Sequence, residues 1–183
     1  MTAGASVRFT YEDYLLLPED RRYEILDGDL YMTPAPTPYH PLVSKRIAHA
    51  LDEYVQRNDL GEVLYAPCDV VLSATDVVQP DILFVAAARM PIIGDKFISA
   101  APDLVVEILS PSTADRDQTL KSKVYARFGV QELWIASPEA KTVEILVNTG
   151  GVWRREAIYG SGDTLRSPLL PGLEVSLADV FAR

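Results

Sequence analysis

A short apolar run with a single acid inside it constrains this sequence more than any other feature. Residues Leu104–Leu109 are rich in valine and leucine. The run is long enough for a buried strand and too short for a helix. Glu107 interrupts it, and burying a carboxylate among aliphatic side chains is unfavourable unless the carboxylate has a partner. The run therefore predicts a buried strand whose acid is paired with side chains from elsewhere in the chain.

A polar helix is predicted after this strand. Ser110-Pro111-Ser112-Thr113 ends the strand, and the helix is expected from about Asp117 to Phe128. Lys121 and Lys123 lie on this helix, so either lysine is a candidate partner for Glu107.

A second apolar run with one acid lies upstream. Val77–Val85 contains Asp81, and two neighbouring strands could point Asp81 and Glu107 at one place. Mg²⁺ is bound by one or two protein carboxylates and keeps several waters. A lysine beside such a site can orient a water and stabilise developing phosphate charge. These residues therefore predict a metal-dependent site that cleaves phosphodiesters.

The other elements alternate between helix and strand along the chain. Thr10 is typical of an N-cap, with Asp13 completing a capping box. His40 is predicted to precede the second helix, and His49 is expected to be solvated. The predicted elements are a helix over Tyr11–Leu17, a hairpin over Arg22–Thr33, a helix over Leu42–Arg57, a strand over Glu62–Leu72 that Pro67 bulges or breaks, a strand over Glu132–Ala136, a hairpin over Lys141–Val147 and Val152–Tyr159, and a last helical turn capped by Ser176.

Composition limits the class of protein. The 183 residues predict one domain, residues 1–183, with no membrane-spanning helix and no secretory signal. The single cysteine, Cys68, fits a reducing cytoplasm. With 17 basic and 26 acidic residues the net charge is −9, which argues against a general nucleic-acid-binding surface. A local basic face or a bound metal could still attract phosphate.

Several segments, in order, resemble the Uma family of the PD-(D/E)XK restriction-endonuclease-like superfamily. The resemblance covers nearly the whole chain. The segments that carry it are Tyr23–Asp29 (YEILDGD), the proline-rich stretch ending in His40, Gln79-Pro80-Asp81, Val106–Thr113 (VEILSPST), Asp117 with Lys121 and Tyr125, and Gly129–Ile135 (GVQELWI). This resemblance implies an α/β fold, with a mixed sheet flanked by helices, an N-terminal helix and hairpin, and a C-terminal β-hairpin.

The resemblance also implies roles for individual residues. Asp81 matches the aspartate of the superfamily motif and Glu107 its second acid. Leu109 stands where the superfamily usually has a lysine. The lysine is then expected on the next helix, where Lys121 fits the family pattern better than Lys123.

Other positions have competing interpretations. Glu24 resembles the family's upstream acid and would complete the metal shell, whereas strand alternation alone favours an exposed position for it. His40 is a weaker match to the family. Glu107 and Lys121 could instead form a structural ion pair, and Tyr125 is expected to pack in the core.

The function implied is a Mg²⁺-dependent endonuclease, with Mn²⁺ as a substitute, that acts on double-stranded DNA as a homodimer. Two alternatives remain open. One is a catalytically weak or inert interaction module that keeps the fold, which the acidic net charge and the displaced lysine both favour. The other is a metal-dependent hydrolase of a small phosphorylated substrate, which would need a closed cavity rather than an open groove.

Overall fold

A mixed six-stranded sheet forms the centre of the fold. The computed structural model describes residues 7–18, 20–33, 35–110 and 117–182, and the side chains of residues 117 and 118 are outside this description. From one edge to the other the strands of the central sheet are β10 (Trp153–Gly160), β9 (Thr142–Asn148), β8 (Glu132–Ser137), β7 (Leu104–Ile108), β6 (Ile82–Ala86) and β3 (Gly61–Tyr65). Strands β7 and β8 are parallel neighbours, and the other described pairs of this sheet are antiparallel.

A second, antiparallel sheet packs beside the first. Its order is β2 (Asp29–Thr33), β1 (Arg22–Leu26), β5 (Asp76–Val78) and β4 (Val70–Ser73). The predicted run Val77–Val85 is therefore two strands in two sheets, and Asp81 precedes β6 instead of lying within a strand. The run Glu62–Leu72 is likewise divided, between β3 and β4, which confirms the break at Pro67.

Most of the predicted helices are confirmed, but their first or last residues differ from those predicted. Helix α1 (Tyr11–Tyr14) is shorter than predicted and has the expected Thr10 capping box. Helix α2 (Tyr39–Arg57) begins three residues before Leu42, because prolines are tolerated in a first helical turn, where the backbone N–H has no partner to bond. His40 therefore lies inside the helix, and Leu42 is largely exposed.

The segment after β7 contains an irregular turn. Residues Asp117–Lys121 form a π-helical turn that continues into α3 (Ser122–Phe128). Gly129 ends α3 with a φ of 87°, which a glycine adopts without strain. The segment Pro111–Thr113, which was predicted to follow the end of the strand, lies outside the described residues.

The C-terminal part agrees with the predicted pattern. Strands β9 and β10 form the expected hairpin. A short pair, β11 (Thr164–Leu165) and β12 (Val175–Ser176), leads into α4 (Leu177–Val180), which Ser176 caps. Among the described residues, no helix is long and apolar enough to cross a membrane.

The central sheet has an apolar cluster on each face. On one face, Leu104, Val106 and Ile108 of β7 pack with the buried side of α2. On the other face, Val105 packs with α3 and with the second sheet. Because side chains alternate along a strand, Glu107 belongs to the face that meets α3.

Arg127 on α3 ties that helix to the second sheet. Its guanidinium donates to Asp27 Oδ1 at 2.6 Å and to Asp76 Oδ1 at 2.9 Å. Asp76 is buried and also accepts bonds from Ser73 Oγ and the Asp27 amide. Hydrogen bonding to Asp27, together with the nearby Asp76 charge, raises the pKa of Arg127.

Removing Arg127 is expected to destabilise the protein. In Arg127→Met the buried Asp76 loses its cationic partner, and the free energy of unfolding should fall by about 1–3 kcal/mol. Urea unfolding at neutral pH measures this change.

A matched control is Arg57→Met, which removes an exposed pair with Glu53 four residues earlier on α2. Such a pair contributes about 0.5 kcal/mol. Equal losses in both variants would show that Arg127 does not stabilise the contact between α3 and the second sheet.

Candidate active site

Glu107 is buried on β7 and has two partners from the segment that follows it. Its side chain is 3% exposed, and its Oε1 lies 2.6 Å from Lys121 Nζ. The Tyr125 hydroxyl donates to the same oxygen at 2.5 Å. Tyr125 is fully buried, as predicted. Its hydroxyl also contacts the candidate site, which core packing alone does not explain.

Glu24 reaches the same lysine from the second sheet. Its Oε1 lies 2.9 Å from Lys121 Nζ and accepts a hydrogen bond from the Gln79 amide at 2.9 Å. The side chain is 2% exposed. The exposed position expected from strand alternation is therefore wrong, because this face of β1 is covered by Lys121 and by the segment at Gln79. The resemblance to the Uma family had singled out Glu24 as a site residue.

Lys121 lies at the end of the π turn with its ammonium between two carboxylates. It is 3% exposed at the side chain, whereas Lys123 is exposed on α3. π-helical turns occur frequently at functional sites because the extra residue redirects a side chain. The structure thus brings Lys121 to both acids and leaves Lys123 in solvent.

Asp81 lies beside this cluster, where the chain passes from β5 to β6. Its Oδ2 accepts a hydrogen bond from the Ile108 amide at 2.8 Å, next to Glu107 along β7. His40 Nε2 on α2 is 3.3 Å from the same oxygen. The Asp81 side chain is 17% exposed, so water reaches it more readily than it reaches Glu107. The two acids lie on adjacent segments, as predicted, but their side chains contact different partners.

Gln79 connects the surrounding elements and was not predicted as a functional residue. Its amide bonds Glu24, and its side-chain oxygen accepts from Arg22 Nε at 3.0 Å. Its side-chain nitrogen donates to Asp69 Oδ1 at 2.7 Å and to the Tyr14 hydroxyl. Burial and the neighbouring Asp69 raise the pKa of Tyr14. The only sequence signal for Gln79 is its place before Pro80-Asp81, since an amide carries no acid–base chemistry.

A groove of about 710 Å³ opens beside Asp81 and His40. Helix α2 forms one wall and β3 the other. The groove is in contact with solvent and is not an enclosed cavity.

The donor set fits a hard cation better than a zinc-type ion. Among the described residues, no group of three or more histidine, cysteine, aspartate or glutamate side chains is arranged to hold a metal. Zinc sites need three or four protein ligands. Mg²⁺ needs only one or two carboxylates because it keeps its waters. Asp81 and Glu107 are therefore the candidate pair of ligands.

Comparison with known proteins identifies the family. A family model named Uma2 and described as "Putative restriction endonuclease" matches residues 11–178. The chain belongs to the Uma2 family. The match spans β1, the crossover at Asp81, β7 and α3, so all four candidate residues lie within it. No curated protein matches the chain.

A solved structure has the same fold. It is a crystal structure from Anabaena variabilis titled as a putative nuclease belonging to DUF820. The TM-score is 0.79, with 21% identity over 95% of this chain and 98% of that one. At this identity the likeness establishes the fold, and it confirms the α/β architecture with a mixed sheet flanked by helices.

The buried lysine is expected to stabilise the folded protein. Lys121→Met leaves Glu24 and Glu107 buried without their shared cation. Loss of one partner of a buried ion pair typically costs about 3–5 kcal/mol. Urea unfolding of the variant measures the loss.

Lys123→Met is the control, because it makes the same change on the exposed side of the same helix. It should alter stability by less than about 0.5 kcal/mol. A Lys121 variant as stable as the Lys123 variant would contradict a buried, charged Glu24–Lys121–Glu107 cluster.

Proposed function

We propose that this chain is a metal-dependent endonuclease that hydrolyses DNA phosphodiester bonds. The observation that carries the proposal is the meeting of Glu24, Glu107 and Lys121 beside Asp81, in a chain of a family described as "Putative restriction endonuclease". Mg²⁺ is the proposed cation, and Mn²⁺ would replace it.

Asp81 and Glu107 would hold the metal, and Glu24 would contribute directly or through a water. Mg²⁺ bound there would supply a Lewis acid for the phosphate oxygens and would lower the pKa of a bound water. The Asp81 carboxylate is already oriented by the Ile108 amide and by His40. This orientation lowers the cost of arranging the ligands when the cation arrives.

Lys121 would orient the attacking water and stabilise charge on the phosphate. Its ammonium is held at 2.6 Å and 2.9 Å from two carboxylate oxygens, which fixes its position. Tyr125 holds Glu107 from a second direction and so keeps that carboxylate aligned with the lysine. A charge fixed in advance needs little reorganisation during the reaction, which is the main source of electrostatic catalysis.

Removal of either metal-binding acid should abolish cleavage. With Mg²⁺ and a duplex substrate, Asp81→Asn and Glu107→Gln are each expected to cut at least about 10²-fold more slowly. Calorimetric titration of Mg²⁺ and Mn²⁺ should show binding to the native protein and none to either variant. The exposed Asp95→Asn is the control and should match the native protein.

Unfolding curves of the two variants separate loss of function from loss of fold. A folded variant that cuts at the native rate would remove that residue from the mechanism. If metal is absent from the native protein even when a short duplex is added, the metal-dependent mechanism is wrong.

We also propose that the active form is a homodimer, because cutting both strands of a duplex needs two such sites. Sedimentation equilibrium should give twice the mass of one chain. A monomer at the concentrations that support double-strand cleavage would contradict this.

An inert interaction module is the second candidate. Two observations favour it. Lys121 forms ion pairs with both Glu24 and Glu107, and the net charge of the chain is −9. Duplex binding that weakens steeply with salt would argue against it. A folded protein without affinity for any nucleic acid would argue for it.

A further inference from the structure

Tyr65 is an exposed aromatic residue at the edge of the central sheet. It ends β3, the edge strand, and is 67% exposed. Val63, two residues earlier, is buried against α2. Because residues two apart share one face of a strand, Tyr65 lies on the same face of β3 as Val63. Helix α2 covers that face at Val63. Its ring is exposed because the groove separates α2 from the end of β3.

The backbone fixes Tyr65 next to the candidate active site. Tyr65 pairs with Ile82 in the sheet, and the amide of Ala66 donates to the Asp81 carbonyl at 3.0 Å. Asp81 and Tyr65 both line the groove. A ligand that reaches Asp81 along this groove therefore passes Tyr65.

The groove carries as many cationic as acidic side chains in a chain that is acidic overall. Arg22 and Lys45 line it with the acids Asp52 and Asp81, together with His40 and His49. Arg22 is held by its bond to Gln79, which also binds Glu24, so one basic group is anchored to the candidate site. Lys45 is exposed on α2. Two cations and an aromatic ring beside a phosphate-cleaving centre match the features that bind a nucleic-acid strand with unstacked bases.

The groove has room for one base lifted out of a stack. Its volume is about 710 Å³, which is within the size range of sites that take small ligands. Inside a duplex only the edges of the bases are accessible in the grooves. A base can lay its face on a tyrosine ring only after it has left the stack.

We propose that Tyr65 stacks on a base that is unpaired beside the cleaved phosphate, and that Lys45 neutralises a flanking phosphate. This inference rests on the proposed nuclease function and specifies its substrate. The preferred substrate is then DNA that contains an unpaired base, in preference to a fully paired duplex.

Fluorescence of 2-aminopurine tests the stacking directly. The probe is a duplex with one unpaired 2-aminopurine, and Ca²⁺ replaces Mg²⁺ so that binding is measured apart from cleavage. The native protein should quench the probe on binding, Tyr65→Phe should quench it equally, and Tyr65→Ala should not. Tyr65→Ala should also weaken binding of this duplex about tenfold or more and change binding of the paired duplex little.

The control for Tyr65 is Ile158→Ala, at an exposed apolar position on β10, the opposite edge of the same sheet. It should behave as the native protein does. Equal binding of the two duplexes by the native protein, or quenching that survives in Tyr65→Ala, would overturn the stacking role.

Salt dependence tests Lys45. Lys45→Ala should lower the slope of log affinity against log salt by about 0.7–0.9, the value for one phosphate contact. Lys141→Asn removes a lysine in the turn between β8 and β9, where asparagine tolerates the φ of 53°, and it should leave the slope unchanged. An unchanged slope in Lys45→Ala would exclude that contact.

Failure of this inference is distinguishable from failure of the proposed function. If Asp81→Asn abolishes cleavage but Tyr65→Ala leaves binding and quenching intact, the nuclease function holds and the stacking site does not. If the native protein neither binds nor cuts either duplex, both are wrong.

Discussion

One buried ammonium lies between two carboxylates and joins three separate elements of the fold. Glu24 comes from the second sheet, Glu107 from the central sheet, and Lys121 from the turn that precedes α3. Each charge is unfavourable in a dry interior without the others, so the three elements must dock together. Such clusters add little net stability compared with apolar packing. On this ground we propose a functional reason for the cluster rather than a structural one.

The segment that connects the two sheets determines where these charges lie. Residues 79–81 leave β5, beside Glu24, and enter β6, beside Glu107. The Gln79 amide binds Glu24, and two residues later the Asp81 carboxylate binds the Ile108 amide. One short irregular segment therefore sets the position of acids in both sheets. A mutation that shifts this segment would disturb both acids at once.

Local pattern predicted the elements well and their contacts less well. The run around Glu107, the hairpin containing Glu24 and the helix containing Lys121 were all predicted. The burial of Glu24 was not, because it depends on the pairing of Ile25 with Val77, far along the chain. Asp81 lies outside a strand because the chain passes from the second sheet to the central sheet there. The continuous apolar run Val77–Val85 gives no sign of this passage. The family resemblance supplied Glu24 and Lys121 where periodicity could not.

Charge balance explains how an acidic chain could accept a polyanion. Glu24, Glu107 and Lys121 have a formal sum of −1, and Asp81 adds a further negative charge. A divalent cation beside Asp81 and Glu107 would offset these two negative charges. The field near a metal bound there would then be set by Arg22, Lys45 and Asp52 in the groove, rather than by the distant surface charges that salt screens. Phosphate affinity should therefore depend on metal occupancy and on these groove residues far more than on the net charge of −9.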